Sequence, residues 1–176
     1  QIRVPKFSPD LPEFIKTESE AKERLQKLMN VKGNQTVDSF HKRLGLIMWN
    51  NVGMGRNEEG LKKAIVEIAE LRKEFWKDVK ISGEANEINP ELEKAGRVAD
   101  FLELGELMAR DALNRNESCG GHFREEYQTP EGEALRNDSD YMYAAAWEFT
   151  GENSEPKLNR EVLDYEFVEV KQRNYK

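Results

Sequence analysis

One long amphipathic pattern near the middle of the chain constrains the fold more than any other feature. The apolar stripe comprises Leu61, Ala64, Ile65, Ile68, Leu71, Phe75 and Val79. These steps of three and four residues are the spacing of one face of an α-helix, and Asn57 stands where a helix N-cap is expected. A helix of this kind cannot bury its apolar face alone, so the pattern predicts helical partners.

Two further long helices are predicted, one on each side of this stripe. Thr36 is placed to cap a helix that ends at Gly53, and its apolar residues again recur at helical spacing. Asn89 and Pro90 open the other helix, with asparagine at the cap and proline in the first turn, where its missing amide removes no hydrogen bond. That pattern continues to Asn114, so three long helices are expected.

The chain before these helices is predicted to be extended and then briefly helical. Residues 1–16 contain three prolines and no helical period, so an extended lead-in is expected. Thr17 and Glu20 match a capping box, in which each side chain accepts a hydrogen bond from the other residue's backbone amide. A short helix should therefore run from Thr17 to about Met29.

These elements predict a mainly α fold. The expected architecture is an antiparallel three-helix bundle, like a spectrin repeat, preceded by the short helix and followed by an irregular segment with a small β-hairpin. The bundle with its C-terminal loop should occupy residues 17–127, and the extended tail residues 128–176. Gly96 and Gly105 should let a neighbouring helix approach closely.

The tail carries two patterns with the period of a β-strand. Aromatic and small residues alternate from Tyr141 to Phe149, as in a half-buried strand. A second alternation runs from Leu163 to Phe167, so a hairpin is predicted. The apolar parity shifts at Phe167 and Val168, which indicates a bulge.

The composition narrows the class of protein. Charged residues make up 35% of the chain and the net charge is -7, which argues against nucleic acid as a partner because phosphate binding needs a concentrated positive field. No apolar run approaches the roughly 18 residues that span a bilayer. The single cysteine, Cys119, favours a reducing cytoplasm. The first residue is Gln1 rather than methionine, so we expect the chain to be part of a longer polypeptide.

The segment from residue 110 to residue 136 is the candidate functional region. Basic and acidic residues alternate there around two adjacent glycines, which permit backbone angles or close approaches that other residues do not. On the residues alone two interpretations stay open, a charged helix end with a solvated loop or an interface that clamps another domain or subunit. The interface candidates are Arg110, Arg115, Glu117, Ser118, Gly120, Gly121, His122, Arg124 and Arg136.

No catalytic, cofactor-binding or metal-binding residues are predicted in the chain. Cys119 and His122 have the local spacing of two metal ligands, but a structural zinc site needs four, and His41 is the other histidine. A Cys119 nucleophile with His122 as its base is disfavoured because such close neighbours in sequence seldom face each other. The Gly53-x-Gly55 turn follows a helix rather than a strand, so a nucleotide-binding loop is also disfavoured.

The segment resembles a loop of a known enzyme family. The resemblance rests on Arg115, Glu117, Ser118, Gly120 and His122, supported by Met48-Trp49-Asn50, Arg136-Asn137-Asp138 and the closing residues Lys171 to Lys176. In this order and spacing they resemble the C-terminal domain of succinate dehydrogenase and fumarate reductase flavoprotein subunits, over about residues 17–176. Many members carry arginine where Cys119 stands and alanine where Gly121 stands, so no role of that arginine is carried over. The cysteine–glycine–glycine form resembles membrane-anchored enzymes of menaquinone-using bacteria.

The resemblance implies a supporting domain rather than a catalytic one. In this family an N-terminal Rossmann-like domain holds FAD, so residues 1–16 would lead in from that flavin domain. This chain would be the non-catalytic C-terminal helical domain, which supports packing of the FAD domain and subunit assembly, and it would be inactive alone. The implied partners are the flavin domain, an iron–sulfur subunit and a membrane anchor subunit, at the cytoplasmic, inner face of the cell membrane.

Two alternatives remain at this point. The same helical domain occurs in L-aspartate oxidase, a soluble relative of the resembled family. A protein of another class, a free-standing acidic helical interaction module, could dock a partner through residues 115–127. Gel filtration separates the classes, because a domain without its flavin domain should expose apolar surface and self-associate.

Overall fold

The computed structural model describes residues 7–151 and 154–171, and four long helices dominate it. They are α1 (Pro12–Asn30), α2 (Val37–Asn51), α3 (Glu58–Asp78) and α4 (Pro90–Asn114), followed by a single turn, α5 (Asp138–Tyr141). The mainly α fold predicted from the sequence is confirmed. No helix within the described ranges is long and apolar enough to cross a membrane.

The three predicted N-caps of the long helices are confirmed. Thr36 Oγ1 accepts a hydrogen bond from Ser39 N at 3.2 Å at the start of α2. Asn57 Oδ1 accepts from the backbone amide of residue 60 at 2.8 Å, and Asn89 Oδ1 from that of residue 92 at 3.0 Å. Each side chain satisfies an amide that the helix itself leaves without a partner.

The predicted start of α1 is wrong. The helix begins at Pro12, so part of the expected extended lead-in is helical, and α1 is longer than the short helix expected. Thr17 lies inside the helix, and its hydroxyl donates to Glu13 O at 2.9 Å instead of capping. Proline supplies a favourable first turn because its fixed backbone angle suits a helix and its missing amide is not needed there. Residues 1–6 lie outside the described ranges.

The core lies among α2, α3 and α4, with the C-terminal end of α1 added to it. Phe40 of α2 meets Phe75 of α3 edge to face at 5.3 Å between ring centroids, and Leu28 of α1 is fully buried beside them. Gly105 allows close approach, as predicted, since a Cβ there would lie 3.2 Å from Met48 Sδ. The same prediction is wrong for Gly96, where a Cβ would have nothing within 4 Å.

Two short parallel strand pairs join the ends of the bundle, and neither was predicted. Strand β1 (Gln35–Thr36) pairs with β3 (Val79–Lys80), so α2 begins where α3 ends and the two helices are antiparallel. Strand β2 (Gly55–Arg56) pairs with β4 (Phe123–Arg124), which brings the loop after α4 against the turn between α2 and α3. Two-residue strands leave no period in the sequence, so pattern analysis cannot find them.

The tail forms the predicted hairpin with its second strand displaced. Strand β5 (Tyr143–Glu148) pairs antiparallel with β6 (Lys157–Val162), whereas the sequence placed the second strand at Leu163 to Phe167. The bulge predicted at Phe167 and Val168 is likewise wrong, because that part of the described chain is not a strand. Strand β6 is mostly exposed, so its sequence has no alternation of apolar and polar residues. Without that alternation the strand could not be predicted from its sequence pattern.

Candidate interdomain interface after the fourth helix

The loop that follows α4 is a tight backbone hairpin. Cys119 and His122 exchange both backbone hydrogen bonds, at 2.8 Å and 3.0 Å, around the exposed tip formed by Gly120 and Gly121. Gly120 has a φ of +60°, which side-chain-bearing residues adopt reluctantly. A glycine at position 120 therefore suits the shape of this tip, whereas Gly121 has no positive φ and a Cβ there would meet nothing within 4 Å.

Arg124 is enclosed by the chain. Its side chain is 1% exposed, and its Nη1 donates to the carbonyls of Ala112 at 3.0 Å and Leu113 at 3.3 Å, while Nε donates to Glu126 Oε2 at 3.0 Å. These carbonyls belong to the last turn of α4, where no backbone amide of the helix is available to donate to them. Arg124 thus caps the C-terminal end of α4, although it lies ten residues beyond the last residue of that helix.

Glu117 and Ser118 also point into the chain. Glu117 is 3% exposed, and its Oε2 accepts from Asn137 N at 2.8 Å, so it anchors the start of the tail. The Ser118 hydroxyl accepts from Arg124 N at 2.8 Å and donates to Arg124 O at 3.1 Å. A buried carboxylate and a buried hydroxyl are both satisfied in this way.

Arg115 and His122 lie half-buried on either side of this layer. Arg115 Nη2 donates to Tyr141 O at 3.0 Å and Tyr143 O at 3.2 Å, and its guanidinium lies over both rings. His122 Nε2 lies 3.0 Å from Arg115 O. Burial lowers the pKa of His122, and the nearby guanidinium groups, Arg56 among them, lower it further. The ring is therefore held neutral.

The two outlying candidates bind the tail. Arg110 Nε donates to Glu106 Oε1 at 2.9 Å, and its other end pairs with Glu155 in the turn of the hairpin. Arg136 donates to Asp138 Oδ1 at 2.9 Å and 2.6 Å, and this partner raises the pKa of the guanidinium. Arg110 thus lies apart from the loop, on the side of the bundle that the hairpin covers.

Pattern analysis missed the contribution of the turn between α2 and α3. Arg56 O accepts from Glu125 N at 2.9 Å, and Asn57 Nδ2 donates to Glu125 Oε2 at 2.7 Å. Glu126 accepts from the backbone amide of Glu58, which places a carboxylate at the positive end of α3. Burial and the neighbouring Arg124 lower the pKa of Arg56. The sequence signal was the Arg56-Asn57 pair that opens α3.

The metal-ligand spacing of Cys119 and His122 is not joined by further ligands among the described residues. The His122 ring nitrogen faces the Arg115 carbonyl, and within residues 7–151 and 154–171 no three His, Cys, Asp or Glu side chains gather as metal ligands would. The hydrogen bonds of this arrangement connect the end of α4, the start of α3 and the start of the tail. The exposed residues of the loop are its glycine tip together with Asn116, Glu125 and Glu126.

Known proteins match this chain over most of its length. The family model for the fumarate reductase flavoprotein C-terminal region matches residues 41–175. The fumarate reductase flavoprotein subunit of Haemophilus influenzae is 27% identical over 135 residues, covering 77% of this chain and 21% of that protein. The succinate dehydrogenase flavoprotein subunit of Bacillus subtilis is 26% identical over 153 residues, covering 87% of this chain and 25% of that protein.

The fold has the same relatives. The structure of Escherichia coli quinol fumarate reductase matches with a TM-score of 0.79 at 23% identity, covering 94% of this chain and 27% of that one. The chain therefore spans about a fifth to a quarter of the length of the curated relatives it matches. With a family model covering residues 41–175, the chain belongs to the C-terminal region of the fumarate reductase and succinate dehydrogenase flavoprotein family.

Proposed function

We propose that this chain is the non-catalytic C-terminal helical domain of a succinate/fumarate oxidoreductase flavoprotein subunit, and that it supports packing of the FAD domain and subunit assembly. The family match supports the enzyme class, since the matched subunits are named fumarate reductase and succinate dehydrogenase. The observation that carries the supporting role is the enclosure of Glu117, Ser118 and Arg124, each of which forms hydrogen bonds within the chain.

Engaged side chains of this kind suit a structural role better than a chemical one. A catalytic group must reach substrate or cofactor. Arg124 instead donates its hydrogen bonds to the carbonyls of α4 and to Glu126. The guanidinium fixes the geometry of the loop, because its N–H donors lie in a rigid plane and form good hydrogen bonds only when the acceptors are held in matching positions. The loop then offers a rigid surface to a neighbouring domain.

FAD would belong to the flavin domain and not to this chain. A dinucleotide site needs a glycine-rich turn between a strand and a helix, with free backbone amides that meet the pyrophosphate. The glycine turn here follows α2, and its Gly55 is paired with Phe123 in the β2–β4 contact. These residues do not fit the cofactor, so the isolated chain should bind no flavin and catalyse nothing.

The proposal extends to partners and location. In the intact complex the flavin domain of the same polypeptide would be the direct partner, and an iron–sulfur subunit and a membrane anchor subunit would complete the assembly. The subunit would then lie on the cytoplasmic side of the cell membrane as a peripheral component. The E. coli relative of known structure is a quinol fumarate reductase, which is consistent with such an assembly.

The test is flavin retention by the intact subunit. Arg124→Ala and Glu117→Ala should lower the FAD content and the melting temperature of that subunit while leaving KM for succinate or fumarate nearly unchanged. The control is Lys63→Ala, which removes a cation on α3 whose side chain is 62% exposed and lies away from the loop. Unchanged flavin content and melting temperature with a raised KM would overturn the proposal.

The size of the native polypeptide is a second, independent test. An antibody raised against this chain should detect a membrane-associated band several times larger than 20.4 kDa that carries flavin fluorescence. A band near 20.4 kDa in the soluble fraction would instead mean that the chain acts alone. The enzyme role would then fall.

A further inference from the structure

One of the three grooves between the bundle helices, that between α3 and α4, is partly occupied by the chain itself. Over the α3–α4 groove, Lys27 of α1 lies 4.4 Å above the ring of Trp76 of α3. Further along, Trp147 of the hairpin donates to Asp111 of α4 at 2.8 Å. Helix α1 and the hairpin therefore occupy the two ends of this groove.

The α2–α3 groove is open but charged. Arg43 of α2 forms two hydrogen bonds with Glu74 of α3, at 2.8 Å and 2.6 Å, and these bonds hold the pKa of Glu74 at about 2. Lys63 and Glu67 of α3 continue the charged lining. Paired charges of this kind are already solvated, so the free energy gained by covering this groove with a partner is small.

The third groove, between α2 and α4, has an ion pair near the start of both helices, Lys94 with Asp38 at 3.6 Å, and exposed apolar side chains beyond it. His41, Gly45 and Trp49 recur every four residues on α2, and Phe101 and Met108 are seven apart on α4, so each set lies along one side of its helix. The rings of His41 and Phe101 are 5.9 Å apart, which places the two sets side by side. Trp49 is 83% exposed, Met108 48% and Phe101 42%. We call these five residues the α2–α4 face.

We propose that the α2–α4 face is where the flavin domain of the same polypeptide packs. This inference rests on the proposed function and adds the surface through which it acts. Exposed aromatic and thioether side chains in one patch are typical of a surface that a partner covers. The matched relatives are four to five times as long as the aligned region, so a large covering domain is available to members of this family.

The position of the face relative to the loop supports the same occupant. Helix α2 ends just beyond Trp49, and Met54, which is 71% exposed, follows in the next turn. Met54 O accepts from Phe123 N at 3.2 Å, so this turn is bonded directly to the candidate interface loop. The α2–α4 face and the loop are therefore neighbours at this end of the bundle, so that one domain can contact both.

Cysteine footprinting tests the assignment. Trp49→Cys and Met108→Cys are introduced separately into the full-length, FAD-containing subunit and into this 176-residue chain, and the rate of maleimide labelling at each peptide is measured by mass spectrometry. Burial should slow both sites about tenfold or more in the full-length subunit relative to the shorter chain. The matched control is Leu46→Cys, since Leu46 is on α2, is 61% exposed and lines the α2–α3 groove instead. Its labelling rate should stay the same.

Each other outcome overturns the assignment. Equal rates at Trp49→Cys in both proteins would mean that the face stays open. Protection that rises with the concentration of the full-length subunit would assign the face to a second copy of that subunit, and protection lost when the iron–sulfur subunit is removed would assign it to the iron–sulfur subunit. Failure of the proposed function is recognised separately, by the small flavin-free band on the immunoblot, and would overturn both.

Discussion

Ser118 and Arg124 are joined in both directions, with the Ser118 hydroxyl accepting from Arg124 N at 2.8 Å and donating to Arg124 O at 3.1 Å. One side chain thereby takes the place of a paired strand residue. Both residues are fully enclosed, so water cannot replace either bond. The shape of the loop after α4 is held by this pair and by the hydrogen bonds that Arg124 donates to the carbonyls at the end of α4.

Replacing Ser118 by alanine should therefore destabilise the chain well beyond the effect of a surface change. The substitution leaves the amide of Arg124 buried without a partner, while the Arg124 carbonyl keeps its bond from Tyr127 N at 2.9 Å. An unsatisfied buried group costs about 1–3 kcal/mol. Urea unfolding followed by circular dichroism measures the change. Ser82→Ala is the control because Ser82 is exposed, and it should stay within about 0.5 kcal/mol of the unmodified chain. Equal stability of the two variants would refute the role given to the hydroxyl.

Arg124→Lys tests whether shape matters more than charge at this site. Lysine keeps the charge, but one ammonium group cannot reach Glu126 and the α4 carbonyls together as a planar guanidinium does. The free energy of unfolding should fall by about 1.5–3 kcal/mol, the range for hydrogen bonds to a charged group. Arg97→Lys, at an exposed position, should change little. A wild-type stability for Arg124→Lys would mean that the positive charge alone suffices.

Local chemistry made the helix starts predictable, and the departures show its limits. A cap such as Asn57 is decided by the few residues beside it, so the sequence suffices. At α1 two local signals competed, and the proline turn at Pro12 prevailed over the capping box at Thr17. Strand β6 was missed because its partner β5, rather than its own polar sequence, makes it a strand.

The candidate loop was found from sequence, but the direction of its side chains was not. Charge and adjacent glycines marked the segment, yet whether Arg124 faces solvent or the helix end depends on the β2–β4 contact, which joins residues far apart in the chain. Such contacts leave no local period. As interface residues, Arg124 and its neighbours stay a prediction, and the glycine tip is one of the exposed parts of the loop that a partner could contact.

The stability of the chain should fall between neutral and mildly acidic pH because of His122. Its pKa in the folded chain lies below the ordinary 6.5, so the unfolded chain takes up the proton first as the pH falls. The stabilisation is complete above about pH 6.5 and is lost as the pH drops from there towards the folded pKa. Urea unfolding at about pH 7.5 and about pH 5.5 measures the loss.

Two substitutions separate this histidine from other groups that titrate in acid. His122→Gln should remove part of the difference between the two pH values, because glutamine takes up no proton. His41→Gln, which replaces the other histidine of the chain, should leave that difference in place. If both variants keep the same pH dependence as the unmodified chain, the buried imidazole is not its source.

The last prediction compares two glycines with opposite surroundings. A Cβ on Gly33 would lie 2.0 Å from the carbonyl carbon of Asp78, so Gly33→Ala must push the chain before β1 away from the end of α3. This displacement should cost at least about 1–3 kcal/mol. A Cβ on Gly96 meets nothing within 4 Å, so Gly96→Ala inside α4 should stabilise by about 0.5–1 kcal/mol. Melting temperatures of both variants measure the contrast. Equal shifts, or a destabilised Gly96→Ala, would mean that the close contact at Gly33 is not what separates them.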